Sequence, residues 1–355
     1  MSEREELIAT IRQKIDASKK TLIYFDDDVD GLSSYSLIKR ICEKEKGIII
    51  KSTPVLREQY AQVFESYSPD LVIVLDKPML DAGFADAITV PLIWIDHHDS
   101  QSNFADNRKH IIYFNPHNYE KDDNRCTSYW AYQIAKQNEW LCVLGSVSDW
   151  QLNEVTKEFA ENNPKLLNES FTNPADALFN SEIGRYVKLL TFNLKGDTDE
   201  VKKSIFAFGR INELKELDDY KNKDANFLHE RYDSVAGEYE SLLASAKKKA
   251  EKSKRLVMFE YAPKIVSVTS ELSNQLLYTY PKKIILIARL KSDEYKCSLR
   301  CGEGYNLPEL VKASIEGLKG YGGGHTHACG ACVHKDDFQL FLTRLEKEID
   351  KINGA

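Results

Sequence analysis

Three short apolar runs in this chain each stop at an aspartate. Thr21-Leu-Ile-Tyr-Phe25 runs into Asp26, Leu71-Val-Ile-Val-Leu75 into Asp76, and Pro91-Leu-Ile-Trp-Ile95 into Asp96. A strand with one wet face alternates apolar and polar residues, whereas a run that is apolar throughout needs cover on both faces. Gly47-Ile-Ile-Ile50 and Ile111-Ile-Tyr-Phe114 add two more runs of this kind. Between them the spacing is helical: Leu7, Ile8, Ile11 and Ile15 share one helical face, and a helix is expected from Gly31 through Cys42. Such alternation predicts an α/β domain on a parallel sheet. Ligands of these sheets sit beyond the carboxyl ends of the strands, where the aspartates fall.

From residue 151 the pattern turns helical, with core-facing helices expected at Ile183–Leu190 and Lys202–Ile211. Residues 218–255 read as a long connecting helix that ends in a basic stretch, Lys247–Arg255. A solvated helix face explains that stretch better than a phosphate contact does. Strand signals return at Arg255–Tyr261, Ile265–Val268, Lys283–Leu290 and Glu294–Arg300. A helix at Leu307–Leu318, a glycine-rich loop at Gly320–Gly324 and an amphipathic helix at Asp337–Ile352 complete a smaller mixed α/β domain. The expected division is a first domain at 1–195, a helical connector at 196–255 and a second domain at 256–355.

Composition narrows the function. The 355 residues carry a formal charge of -7, which argues against sequence-independent coating of nucleic acid by a basic surface. No apolar run approaches the roughly 20 residues that span a bilayer. The charged, amphipathic N-terminus lacks a secretory core, and seven cysteines are an odd number, so a cytoplasmic protein without a disulfide framework is expected.

The acids carry the chemistry. Asp26-Asp27-Asp28-Val29-Asp30-Gly31 lies between a strand and a helix, with alternate carboxylates on one side of a tight turn. Clustered carboxylates repel one another unless a cation sits among them. The run is no EF-hand, because it follows a buried strand and lacks the closing glutamate. Asp76 and Asp149, each taken alone, read as capping or loop acids. Asp96-His97-His98 is harder to explain by packing, since adjacent imidazoles at a sheet edge suit metal ligation oriented by a neighbouring acid. Together these oxygens and imidazoles suit two divalent ions, manganese or magnesium, better than structural zinc.

In order and spacing, Asp28-x-Asp30, Asp76, Asp96-His97-His98 and Asp149 resemble the four motifs of the DHH phosphoesterase superfamily. Ser298-Leu-Arg300 and Tyr321-Gly-Gly-Gly-His325-Thr-His-Ala-Cys-Gly-Ala331 resemble the signature of its associated second domain. That domain accompanies RecJ exonucleases, nano-RNases and cyclic-dinucleotide phosphodiesterases, and it differs from the one in family II inorganic pyrophosphatases. Asn180–Arg185 and Phe192–Gly196 look most like the archaeal-type RecJ-like branch.

The resemblance implies a role for each position. Asp76 would bridge both ions. Asp28, helped by Asp26, would hold one ion, while Asp30, His97 and Asp149 would hold the other. His98 would contact the scissile phosphate or leaving group, and Asp96 would orient a histidine. Many relatives have a histidine four residues before the first acid of the pair, but here that residue is Tyr24, and Asp26 replaces it as in the RecJ-type pattern. Arg300, Gly322, Gly323, Gly324 and His325, with Ser270 and Asn274, would grip a substrate phosphate in a cleft between the two domains.

A competing use of the second domain is a zinc site formed from Cys297, Cys301, His325, His327, Cys329 and Cys332. Buried cysteines more often fill small apolar positions. The leading expectation is a manganese-dependent exonuclease acting on single-stranded DNA or RNA, whose bases would stack on aromatics such as the 18 tyrosines. A phosphoesterase for short oligonucleotides, a nucleoside bisphosphate or a cyclic dinucleotide is the alternative. A third reading is an inert scaffold, because a RecJ-related lineage serves the replicative helicase. That lineage also implies replication or repair proteins as partners.

Overall fold

The structure, a computed structural model, describes residues 2–51, 53–262 and 266–354. The chain divides into two compact units, Met1–Glu230 and Arg231–Ala355. No helix among the described residues is long and apolar enough to cross a membrane.

The first unit is built on strands β1 (Thr21–Asp26), β2 (Glu45–Ile50), β3 (Val55–Leu56), β4 (Leu71–Leu75), β5 (Met79–Leu80), β6 (Leu92–Ile95) and β7 (Ile111–Phe114). Five of them form one sheet in the order β2-β1-β4-β6-β7, parallel throughout, and β3 pairs with β5 alone. Helices follow in chain order: α1 (Glu3–Ala17), α2 (Val29–Lys39), α3 (Ala61–Tyr67), α4 (Ala82–Ala87), α5 (Ser102–Asp106), α6 (Thr127–Ala135), α7 (Glu139–Ser148), α8 (Glu154–Asn162), α9 (Pro174–Asn180), α10 (Glu182–Asn193) and α11 (Thr198–Phe208).

The central apolar runs are buried as their composition requires, β4 and β6 at every position, whereas the edge strands β2 and β7 are only partly buried. One face of the sheet presents Leu22, Tyr24, Val72, Val74, Leu92 and Trp94 to Phe64 of α3 and Phe84 of α4. On the opposite face α2 packs on β1 and β4, and α6 packs on β6. Each strand therefore ends at the same edge, and the acids that follow the strands converge there.

The division into units falls within a 30-residue helix, α12 (Lys223–Lys252). The second unit continues with β8 (Leu256–Tyr261), α13 (Thr269–Thr279), β9 (Ile284–Lys291), β10 (Glu294–Arg300), α14 (Leu307–Ile315), β11 (Gly320–His325), β12 (Ala328–His334) and α15 (Phe338–Gly354). The sheet order is β11-β12-β10-β9-β8, with only β8 and β9 parallel. One face buries Leu286, Ala288, Cys297, Leu299, Ala331 and Val333 against α14 and α15, through residues such as Leu310 and Phe341.

Two local expectations change. The glycine-rich stretch is the edge strand β11, not a loop, because antiparallel pairing with β12 supplies what glycine's own weak strand preference does not. The strand expected at Ile265–Val268 starts outside the described residues, and its described part, 266–268, is not in a strand.

Candidate metal centre and anion pocket

The acids of the first unit meet at the carboxyl edge of its sheet. Asp26 is the last residue of β1, and two residues later Asp28 caps α2, its carboxylate accepting from the Gly31 amide at 2.8 Å. Gly31 is dictated by space, since a Cβ there would stand 2.6 Å from the Asp26 carbonyl oxygen. Asp30 is buried in the first turn of α2, and its two oxygens accept from the amides of Thr127 and Ser128, both at 2.9 Å. These amides open α6, so a helix N-terminus faces the carboxylate.

Asp76 follows β4 with a left-handed backbone, φ 58°, held by its amide donating to the Ile95 carbonyl at 2.9 Å. Its Oδ1 accepts from the Thr127 hydroxyl at 3.1 Å and lies 3.5 Å from His97 Nε2. His97 Nε2 is also 3.8 Å from Asp149 Oδ2 at the C-terminus of α7. Asp96 is fully buried and grips His98 twice, at Nδ1 (2.8 Å) and at the backbone amide (3.0 Å).

Three sets of ligand atoms lie within 4.8 Å of one another: Asp26, Asp28 and Asp76; Asp76, His97 and His98; and Asp30, Cys126 and Asp149. Asp76 belongs to two of these sets. All six sequence-predicted acids and both histidines are thus gathered at one sheet edge, with Asp96 hydrogen-bonded to His98.

The electrostatics are those of a crowded anionic site. Burial, and then the charges of Asp30, Asp28, Asp26 and Asp96, push the Asp76 carboxyl well above the usual range. Asp149 is raised in the same way by burial and by Asp30. At Asp28 the surrounding atoms and then Asp26 and Asp30 push the carboxyl upward, although the side chain itself stays open to solvent. Burial lowers the His97 pKa, which favours the neutral imidazole that ligates metals. Burial also works against protonation of His98, but the hydrogen bond and charge of Asp96 overcome it and raise the pKa.

Several residues here were not singled out from sequence. Lys77, 1% exposed, donates to Asp26 Oδ1 at 2.7 Å and to the Thr53 carbonyl. Burial raises the Asp26 carboxyl, and Lys77 opposes that rise. Thr127 and Ser128 fix Asp30 and Asp76, and Gln151 donates to Asp149 Oδ2 at 2.9 Å. The available signals were a lysine directly after Asp76 and a Thr-Ser pair opening a helix.

In the second unit, Arg300 sits at the end of β10 and donates to Asn274 Oδ1 (2.7 Å), Ser298 Oγ (3.1 Å) and the Leu299 carbonyl (2.8 Å). Arg300, His325 and Ser270 line one pocket of about 400 Å³, behind which Asn274 positions the guanidinium. Gly322, Gly323 and Gly324 lie on the edge strand and are not among its lining residues, where Gly330 is.

The cysteines do not gather as a zinc site. Among the described residues no set of close metal-ligand atoms includes Cys297, Cys301, Cys329 or Cys332. Cys329 points at the His325 carbonyl (3.6 Å), Cys301 lies 3.7 Å from His327 Nδ1, and Cys332 accepts from Lys296 (2.9 Å).

Known proteins share this plan. The DHH family, N-terminal domain, matches residues 20–161, and the DHHA1 domain matches residues 259–351. Among solved structures the fold is similar to RecJ in complex with Mn2+ from Thermus thermophilus, with a TM-score of 0.69 at 14% identity over 98% of this chain. This chain covers 54% of that one, about half its length. The DHH domain of a protein described as a member of a family of ribosomal proteins gives a TM-score of 0.66 at 15% identity, covering 98% of this chain and 92% of the other. An exonuclease RecJ bound to manganese gives 0.62 at 14% identity, covering 98% and 94%. No curated protein matches the sequence. Both family domains stand in order along one chain that folds like RecJ, and the protein belongs to the DHH phosphoesterase superfamily.

Proposed function

We propose that this protein is a metal-dependent phosphodiesterase that removes nucleotides from an end of single-stranded DNA or RNA. The observation that carries the reading is Asp76, whose carboxylate belongs to two neighbouring sets of ligand atoms and so suits a bridge between two cations. The donor set fits divalent ions: crowded carboxylates with raised pKa values need positive charge among them, and the neutral His97 suits manganese as well as magnesium. The similar Thermus thermophilus RecJ structures hold Mn2+ in one case and Mg2+ in another, which supports the same choice here.

Asp26, Asp28 and Asp76 would hold one ion, and Asp30, His97, Asp149 and Asp76 the other. Two bound cations supply charge neutralisation and an acidified water for attack on phosphorus. The chain's own residues do the rest. Asp96 takes His98 Nδ1, leaving Nε2 to donate to a phosphate or leaving-group oxygen. Thr127 and Ser128 keep Asp30 and Asp76 in place without a cation. In this reading residues 1–195 are the catalytic domain, 196–255 the helical connector and 256–355 the substrate-binding domain.

A phosphoesterase restricted to short oligonucleotides is the second reading, favoured by the net charge of -7, which gives a long strand little general attraction. Digestion of end-labelled DNA and RNA strands of several lengths with Mn2+ tests both. Stepwise shortening of long strands supports the exonuclease, and activity confined to two-to-five-residue oligomers supports the second. Asp76→Ala is expected to lower turnover by at least roughly a thousandfold, because electrostatic stabilisation dominates this chemistry. Near-normal turnover of Asp76→Ala with added Mn2+ overturns the metal-site assignment.

A further inference from the structure

The polar face of the second unit's sheet holds more positive charge than one phosphate needs. Strand register sets its side chains in rows. Arg289, Lys296, Cys332 and Tyr321 form one row, and Ile285, Arg300, Ala328 and His325 form another. Ile287, Ser298, Gly330 and Gly323 lie in the row between them. Four residues of strand separate Lys296 from Arg300, so the outer rows stand about 13 Å apart. Beyond the buried Ile287 the middle row is small, which leaves a floor at Ser298 and Gly330 between two basic margins. Arg289, Lys296, Ser298, Arg300, His325 and Gly330 all line the same cavity of about 400 Å³.

Charge bookkeeping separates these residues. Lys296 is already spent, with Nζ bonded to Glu294 Oε2 at 2.7 Å and to Cys332 Sγ at 2.9 Å. Arg300 bonds only neutral acceptors, Asn274, Ser298 and a backbone carbonyl. Arg289 is half-buried and has no carboxylate partner among the described residues. No acid among the described residues lines the cavity. Glu271 reaches Arg300 only through its charge, and neither guanidinium bonds a carboxylate among the described residues, so both keep donors that an anion in the cavity would satisfy. The cavity also falls in the size range of small-molecule sites, well above what a lone phosphate fills. Ser267, Thr269 and Ser270, at the start of α13, add hydroxyl donors to the same wall.

We propose that Arg289 forms a second anion subsite, so that the second unit grips a nucleotide chain carrying at least two phosphates, one at Arg300 and His325 and another at Arg289. This rests on the nucleotide reading given above, which it deepens by assigning a minimum ligand. A nucleoside monophosphate fills one subsite only, and the added affinity of a longer ligand comes through Arg289.

Calorimetric binding to the full chain in the presence of a chelator, which stops turnover, tests the proposal. The probes are thymidine 5′-monophosphate and 5′-phosphorylated dithymidylate. The wild-type protein is expected to bind the two-phosphate probe roughly tenfold or more tightly, as one charge-assisted contact provides. Arg289→Gln should remove most of that advantage and reduce the salt dependence of dithymidylate binding by about 0.7 in the log–log slope. Arg289→Lys, which keeps the charge, should retain part of the advantage, and Arg300→Gln should weaken both probes. An unchanged affinity ratio in Arg289→Gln, with both probes weakened by Arg300→Gln, removes the second subsite and leaves the nucleotide reading standing. Failure of the wild-type protein to bind either probe, or indifference of both probes to Arg300→Gln, removes the two together.

Discussion

Asp123 shows how a single carboxylate ties distant parts of the first unit together. It is 6% exposed, and it accepts from Arg125 through Nε (2.8 Å) and Nη2 (2.5 Å) and from Arg4 Nη1 at 3.1 Å. Burial works against its ionisation, but the Arg125 hydrogen bonds win and hold the carboxyl below its usual value. A carboxyl depressed in the folded state contributes stability above its unfolded pKa of roughly 4, and that contribution is lost as pH falls through the folded value. Asp123→Asn should therefore cost about 2 kcal/mol at pH 7, less than the roughly 3–5 kcal/mol for breaking a fully buried pair, because Arg125 is partly exposed and keeps Glu154 as a partner. In urea titrations the gap between wild type and variant should close below pH 4. A gap that persists unchanged at pH 3 would show that packing, not charge, is what the variant lost. The sequence hid this pair because Arg4 and Asp123 stand 119 residues apart.

At the scale of elements, helices α6 and α7 approach closely at Gly145. A Cβ at Gly145 would fall 2.1 Å from Ser128 Oγ and 2.9 Å from Asp30 Oδ1. Gly145→Ala must push α6 away from Asp30, and overpacking of this kind costs roughly 1–3 kcal/mol. The expected result is a lower melting temperature together with a smaller rise in melting temperature on adding Mn2+. An unchanged Mn2+ response would mean that the α6 amides do not set the carboxylate geometry. The same helix explains what the sequence could and could not tell. The apolar strands and the acids that end them were readable, because burial on both faces needs unbroken apolar runs and the turn acids follow directly. Thr127 and Ser128 were not readable as parts of the site, because a helix that enters from beyond the last strand is placed by packing alone. Strand β11 was hidden for a related reason, since its conformation comes from β12 and not from its four glycines. Lys77 stood next to Asp76 in plain view, but its partner Asp26 is on the neighbouring strand, a pairing that only the sheet order reveals.

For the whole molecule, six of the 55 acidic residues stand where folding least favours them. Asp26, Asp28, Asp30, Asp76, Asp96 and Asp149 crowd one sheet edge, and Lys77 offsets only one of them directly. Without cations these carboxylates oppose folding, so the fold that positions the site is held against its own repulsion. Removing one charge without changing shape should relieve it. Asp76→Asn keeps an oxygen for the Thr127 hydroxyl while deleting the carboxylate that faces two sets of ligands. In chelator, Asp76→Asn is expected to melt at or above the wild-type temperature. Added Mn2+ should stabilise the wild type by about 2.7 kcal/mol at a hundred times its dissociation constant, or roughly 5–10 °C for a unit of this size. The variant should gain little of that rise. Scanning calorimetry of both proteins with and without Mn2+ separates the two effects. A variant that melts well below wild type in chelator would show that Asp76 is chiefly structural. A variant that keeps the full Mn2+ response would show that the cations bind elsewhere. On the proposed function, stability and catalysis are in opposition at this edge, and bound cations would reconcile them.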